Sequence, residues 1–162
     1  MFGRIHLFLT AILVKPFFQV KNHSLMIIGT IIRRILTFIF KCDLSPVAVI
    51  PYSTKFPHYL GIVIGSAALG KGCRIQQNVT IGSKYPIPWK EVKSLPDIKS
   101  IRTYFPVIGD KVDIGANACI LGPIKIGSNS VIGAGSVVIT DVESNSIYAG
   151  VPAKKIKDRP EK

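Results

Sequence analysis

The chain has 162 residues, 48% of them hydrophobic, and its 21 Lys and Arg against 9 Asp and Glu give a formal net charge of +12. That length suits one domain with a sizeable core, and the charge favours an acidic partner: a membrane surface, a phosphorylated cofactor or an anionic polymer. Nucleic acid is set aside, because no recognised binding motif or regular basic-aromatic face is present. Cys42, Cys73 and Cys119 show no metal spacing and form no even set, which reads as a reducing cytoplasm.

Residues 1–42 carry six cations (Arg4, Lys15, Lys21, Arg33, Arg34 and Lys41) and no acidic residue. Two apolar stretches, Leu7–Val14 and Leu25–Phe40, predict helices separated near Pro16 and Asn22–Ser24. The first is too short to span a bilayer and the second is split by Arg33–Arg34. No small-residue cleavage site follows, which predicts no signal peptide. Two uses fit such a segment: packing on the rest of the fold or on neighbouring subunits, or a basic amphipathic surface resting on anionic lipid. Packing is the favoured expectation, and the two are compatible.

From Asp43 onward the pattern changes. Ile108, Ile114, Ile120, Ile126, Ile132 and Val138 are each six apart, and glycine follows four of them as Gly109, Gly115, Gly127 and Gly133. A helix needs a period near 3.6 and a lone strand a period of two, so neither explains this spacing. Short strands joined by regular corners do, each repeat sending one aliphatic inward, as in a parallel β-helix. Leu69, Ile75 and Ile81 keep the register upstream, while Ile64 stands only five before Leu69. Coils are expected over about 46–83 and 107–142, within a β-helical domain spanning 43–142, followed by a tail at 143–162.

Residues 83–106 interrupt the period. They hold Pro86, Pro88 and Pro96, a final Pro106 and the only tryptophan, Trp89, which predicts a loop extruded from the coil. Tyr85, Trp89 and Phe105 make this loop a candidate substrate-binding surface.

The repeat, the stretch from Asp43 to Gly65 and the ending Gly150-Val-Pro-Ala-Lys-Lys-Ile together resemble the hexapeptide-repeat acyltransferases. The likeness covers about residues 43–157 and is greatest to the serine acetyltransferase-like branch, which includes enzymes that O-acetylate bacterial exopolysaccharide and capsule. The resemblance implies a mainly β, left-handed parallel β-helix, a homotrimer with active sites between subunits, and acetyl-CoA as acyl donor without a metal.

Acetyl transfer to a hydroxyl needs a base for the departing proton, and imidazole suits that role. His58 is the one histidine among the coils, and Phe56-Pro-His-Tyr-Leu-Gly-Ile resembles the family's catalytic-histidine segment. Asp43, fifteen residues earlier in Asp43-Leu-Ser-Pro46, resembles the family's Asp-Ile-x-Pro opening. It is the candidate orienting carboxylate, one coil away on about the same wall. The resemblance also implies cofactor contacts at Ser83, Ala116 and Ala134 along the pantetheine arm, with Lys154 and Lys155 meeting CoA phosphates. Backbone N–H groups near Ser83 are candidates for oxyanion stabilisation.

Two other classes fail on composition. A zinc-dependent β-helix of the γ-carbonic anhydrase kind needs three coil imidazoles, where only His58 is present; an ice-binding solenoid needs a threonine ladder, where Thr80 and Thr140 are isolated. Within the acyltransferases, Phe105 stands where serine acetyltransferases carry a second histidine, Gly82-Ser-Lys-Tyr replaces a Gly-Gly-Thr-Gly run, and a basic front stands where an acidic helical domain is typical. These changes favour a sugar hydroxyl of a bacterial surface polysaccharide, or of its precursor, as acceptor, with free serine of cysteine biosynthesis as the alternative. The expected location is cytoplasmic, with residues 1–42 a candidate contact to the inner face of the membrane.

Overall fold

The computed structural model describes residues 23–85 and 103–160. The predicted helix at Leu7–Val14, most of the extruded loop and Trp89 lie outside the described residues. Helix α1 covers His23–Phe40 and ends where Lys41 turns left-handed at φ 54°. There follow β1 (Asp43–Leu44), β2 (Val63–Ile64), β3 (Ala68–Leu69), β4 (Arg74–Ile75) and β5 (Thr80–Ser83). Past the loop come β6 (Val107–Ile108), β7 (Asp113–Ile114), β8 (Cys119–Gly122), β9 (Lys125–Ile126), β10 (Val131–Ile132) and β11 (Val137–Val138). The chain closes with β12 (Ser146–Gly150) and β13 (Ala153–Asp158).

These strands form the three faces of a parallel β-helix. One face stacks β1-β2-β5-β8-β11, the second β3-β6-β9, and the third β4-β7-β10-β12 with β13 added antiparallel at its end. Most strands are two residues long because each coil side has six residues, and the remaining four turn the corner. Register reports the coil length directly. Asp113 pairs with Val131, Val107 with Lys125 and Cys119 with Val137, each a step of 18. Across the loop the partners are Ala68 with Val107, Arg74 with Asp113 and Thr80 with Cys119, each a step of 39. The added residues leave the coil between β5 and β6 without disturbing the faces on either side.

The six-residue period is the core. Ile108, Ile114, Ile120, Ile126, Ile132 and Val138 are at most 2% exposed, and Ile64, Ile75 and Ile81 continue the column upstream. Asn78, Asn117, Asn129 and Asn145 take the left-handed backbone at corners, a conformation that Asn tolerates better than most residues. The first coil is irregular: Asp43 pairs with Val63 at a step of 20 and Val49 with Ala68 at a step of 19. The end of the chain is held by Arg159, whose Nη2 donates to Asp113 Oδ2 at 2.7 Å while Arg74 Nε donates to Oδ1 at 3.0 Å.

Helix α1 packs with one side only. Leu36 is buried, Arg33 meets Asp43, and the Phe40 ring stands edge-on to Tyr59 at 6.3 Å. Ile27, Ile28, Ile31, Ile35, Phe38 and Ile39 stay exposed. The favoured expectation of a packed helix therefore holds for its inner side, while the larger apolar face is uncovered.

Ile120→Ala removes a fully buried side chain from the middle of the column and leaves a cavity between two coils. It is expected to lower the unfolding free energy by about 2–5 kcal/mol in a denaturant titration.

Candidate active site

The corner between the third face and the first carries the candidate site. It is built by main-chain hydrogen bonds from coil to coil. Gly61 N–H donates to Lys41 O at 3.0 Å and Asn78 N–H to Leu60 O at 2.8 Å. Asn117 N–H donates to Gln77 O at 3.0 Å, and Gly135 N–H to Ala116 O at 2.8 Å. The corner is tight at Gly61, with φ 68°, where an added Cβ would collide with the Asn78 side chain.

His58 sits at this corner on the first coil. Its backbone is pinned on both sides: Phe56 and Tyr59 pack edge-to-face at 5.6 Å, and Cys42 Sγ donates to Tyr59 O at 2.9 Å. Burial pushes the Cys42 thiol and the Tyr59 phenol up, so both stay neutral in the wall behind His58. The imidazole itself is exposed, and no hydrogen bond joins it to the described residues. A fixed backbone under a free, solvent-facing imidazole suits a base that meets its partner only when substrate is bound.

Asp43 lies on β1, next to Cys42. Its register partner is Val63, five residues past His58, so the fifteen-residue spacing brings His58 to the corner before that wall rather than onto it. The carboxylate is occupied by Arg33, whose Nε reaches Oδ1 at 2.9 Å and whose Nη2 reaches Oδ1 at 2.6 Å and Oδ2 at 2.8 Å. Sequence reasoning missed this partner, because a contact ten residues away across a helix end leaves no periodic signal. Beside it a cleft of about 470 Å3 is lined by Thr30, Arg33, Arg34, Thr37, Phe38 and Asp43.

The expected cofactor residues divide. Ala116 and Ala134 stack on successive coils of the His58 corner, where a Cβ on Gly115 would press on the Ala134 backbone. Small residues keep that edge narrow and leave Ala134 exposed. Ser83 ends β5 at the far side of the first face, paired with Gly122, and its hydroxyl donates to Tyr85 O at 2.6 Å. The neighbouring N–H groups are engaged too: Lys84 N–H donates to Gly122 O at 2.9 Å and Tyr85 N–H to Ser83 Oγ at 3.2 Å. Lys155 is held by Glu143 at 2.7 Å and Asp158 at 2.9 Å, contacts that push its ammonium pKa up. Lys154 is exposed and makes no ion pair with the described residues.

Of the expected substrate-binding aromatics, Tyr85 is exposed where the loop leaves the coil, with Lys84 Nζ 5.6 Å from its ring. Phe105 is a correction. It is 6% exposed and packs with Ala68, Tyr104 and Val107, so it closes the base of the loop instead of facing an acceptor. Among the described residues no group of His, Cys, Asp and Glu is arranged to hold a metal ion. A second concavity of about 770 Å3 lies at a different corner, where Lys55, Lys111, Arg74 and Arg159 surround Asp110 and Asp113.

Residues 105–140 match the family model for the bacterial transferase hexapeptide (six repeats). The chain carries the bacterial transferase hexapeptide repeat. Among similar proteins, this hexapeptide-repeat chain is 38% identical over 124 residues to a serine acetyltransferase of Mycobacterium tuberculosis, covering 76% of this chain and 47% of that protein. A crystal structure of serine acetyltransferase from Neisseria gonorrhoeae superposes with a TM-score of 0.72 at 35% identity, covering 84% of this chain and 48% of that one. The Brucella abortus enzyme in complex with coenzyme A gives 0.78 at 28% identity, covering 97% and 57%. The fold is the left-handed parallel β-helix expected. The chain spans about half the length of the relatives it matches.

These relatives overturn the expectation of a polysaccharide sugar as acceptor, since they are serine acetyltransferases both in sequence and in structure. Phe105, one of the three departures behind that expectation, is buried against Ala68, Tyr104 and Val107. Phe105→Ala is expected to cost about 3 kcal/mol of stability, whereas Tyr85→Ala, at an exposed ring, costs under about 0.5 kcal/mol in the same denaturant titration.

Proposed function

We propose that this chain is an acetyl-CoA-dependent O-acetyltransferase whose acceptor is the hydroxyl of L-serine. The observation that carries this reading is the 38% identity to a serine acetyltransferase across 76% of the chain. Support comes from the exposure of His58 on the same corner of the coils as Ala116 and Ala134. The serine hydroxyl attacks the thioester carbonyl carbon while His58 accepts its proton, giving a tetrahedral intermediate. Collapse of that intermediate breaks the C–S bond, and the proton passes from His58 to the departing thiolate, leaving O-acetylserine and CoA.

In this reading the narrow Ala116–Ala134 edge receives the pantetheine arm, whose amides meet backbone groups there. Of the tail lysines, Lys154 is the better candidate for a CoA phosphate, because Lys155 is already paired with Glu143 and Asp158. Asp43 orients His58 only while also bonded to Arg33, through the acceptor capacity that the carboxylate retains. Assembly as a homotrimer with cofactor between subunits belongs to the same proposal, and the openness of this corner on the single chain supports it.

The test is thiol release from acetyl-CoA with L-serine, wild type beside His58→Ala. Serine-dependent release that falls by roughly 10²–10⁴ in the variant is the expected result. No serine-dependent release by the wild type, or a variant as fast as the wild type, overturns the proposal.

A further inference from the structure

Helix α1 presents an apolar face that the described residues leave uncovered. At about 100° per residue, Ile27, Phe38, Ile31, Ile35, Ile28 and Ile39 fall in that order across an arc of roughly 120°. All six are exposed, from 44% at Ile28 to 72% at Phe38. The buried residues Gly29 and Leu36 lie on the opposite side, against the first coil. So many large apolar side chains on one helix face mark a surface that meets something other than water.

The charges around this arc say what it meets. Arg34 and Lys41, both exposed, border it on one side, and Lys41 Nζ stands 4.0 Å from the centroid of the Phe38 ring at its rim. Residues 1–42 contain no Asp or Glu, and Asp43 just beyond them is already paired with Arg33. A second copy of this helix would therefore bring cations to the rim and no free carboxylate to receive them. Anionic headgroups provide that complement, and the acyl boundary beneath them takes the isoleucines. No described helix is long and apolar enough to cross a membrane, so the contact is with a surface.

We infer that α1 docks the protein on an anionic lipid surface, lying in the interface plane with its Ile31–Ile35 side inserted and Arg34 and Lys41 reaching the phosphates. This holds independently of the acetyl acceptor. The ion pair between Arg33 and Asp43 ties the docked helix to the coil that carries His58, so the candidate site is held near the lipid.

The test is flotation of the full chain with vesicles of phosphatidylcholine alone, or with a quarter of the lipid as phosphatidylglycerol, at about 0.1 M and about 0.5 M salt. The wild type is expected to float with the anionic vesicles, less at the higher salt, and to stay behind with the neutral ones. Arg34→Gln with Lys41→Gln should weaken binding by roughly 25-fold, about fivefold for each charge. Ile31→Glu with Ile35→Glu should weaken it at least tenfold, as a loss of two inserted side chains implies. These side chains are exposed, so thermal unfolding of both double variants should match the wild type; if the Glu variant unfolds, the Gln variant alone decides. A wild type that does not float, that floats equally on neutral vesicles, or that is matched by the charge variant overturns the inference. So does sedimentation showing that the Glu variant lowers the mass of the assembly, since a second copy would then be what covers the face.

Discussion

Main-chain pairing along a single corner is what the candidate site depends on. Lys41 to Gly61, Leu60 to Asn78, Gln77 to Asn117 and Ala116 to Gly135 are backbone contacts, insensitive to side-chain identity and repeated once per coil. They bring residues far apart in sequence, His58 and Ala134, onto one edge of a rigid solenoid. Their geometry survives only if every coil closes at the same height, and the aliphatic column within sets that height. A missing methyl at Ile114 or Ile132 would let neighbouring coils shift, and the corner would shift with them.

That arrangement explains where the protein permits irregularity. The long loop leaves between β5 and β6, at the far end of the first face from His58, and the coils above and below it keep their register. The first coil takes 20 residues where the regular coils take 18, and its extra length is spent around Phe56, His58 and Tyr59. Regular coils carry the architecture and the Ala116–Ala134 edge, and the irregular first coil carries the candidate base His58. This is the pattern expected of sites built on repeat scaffolds, where a rigid frame positions irregular segments.

How much of this was legible in the sequence follows from the same division. Ile108 through Val138 announced the coil because each side there has six residues, and the 83–106 interruption stood out against that regularity. His58 was found from residue chemistry and resemblance. Its corner could not be read, since an irregular first coil gives no register from which to count. Phe105 was misread because an aromatic at a loop end looks the same in sequence whether it faces solvent or Ala68. The acceptor was misjudged for that reason in part. The β12–β13 hairpin and the Arg33–Asp43 pair escaped notice because neither belongs to the repeat.

The central claim is that the edge carrying His58, Ala116 and Ala134 receives the acyl donor. The most direct measurement is calorimetric titration of CoA into the wild type and into Ala134→Tyr, a change at an exposed position that the fold should tolerate. The account predicts saturable binding to the wild type and a loss of at least about tenfold in the variant, whose ring would occupy the pantetheine edge. Equal affinity in the two proteins, with the variant folded, would place the cofactor elsewhere and contradict the account.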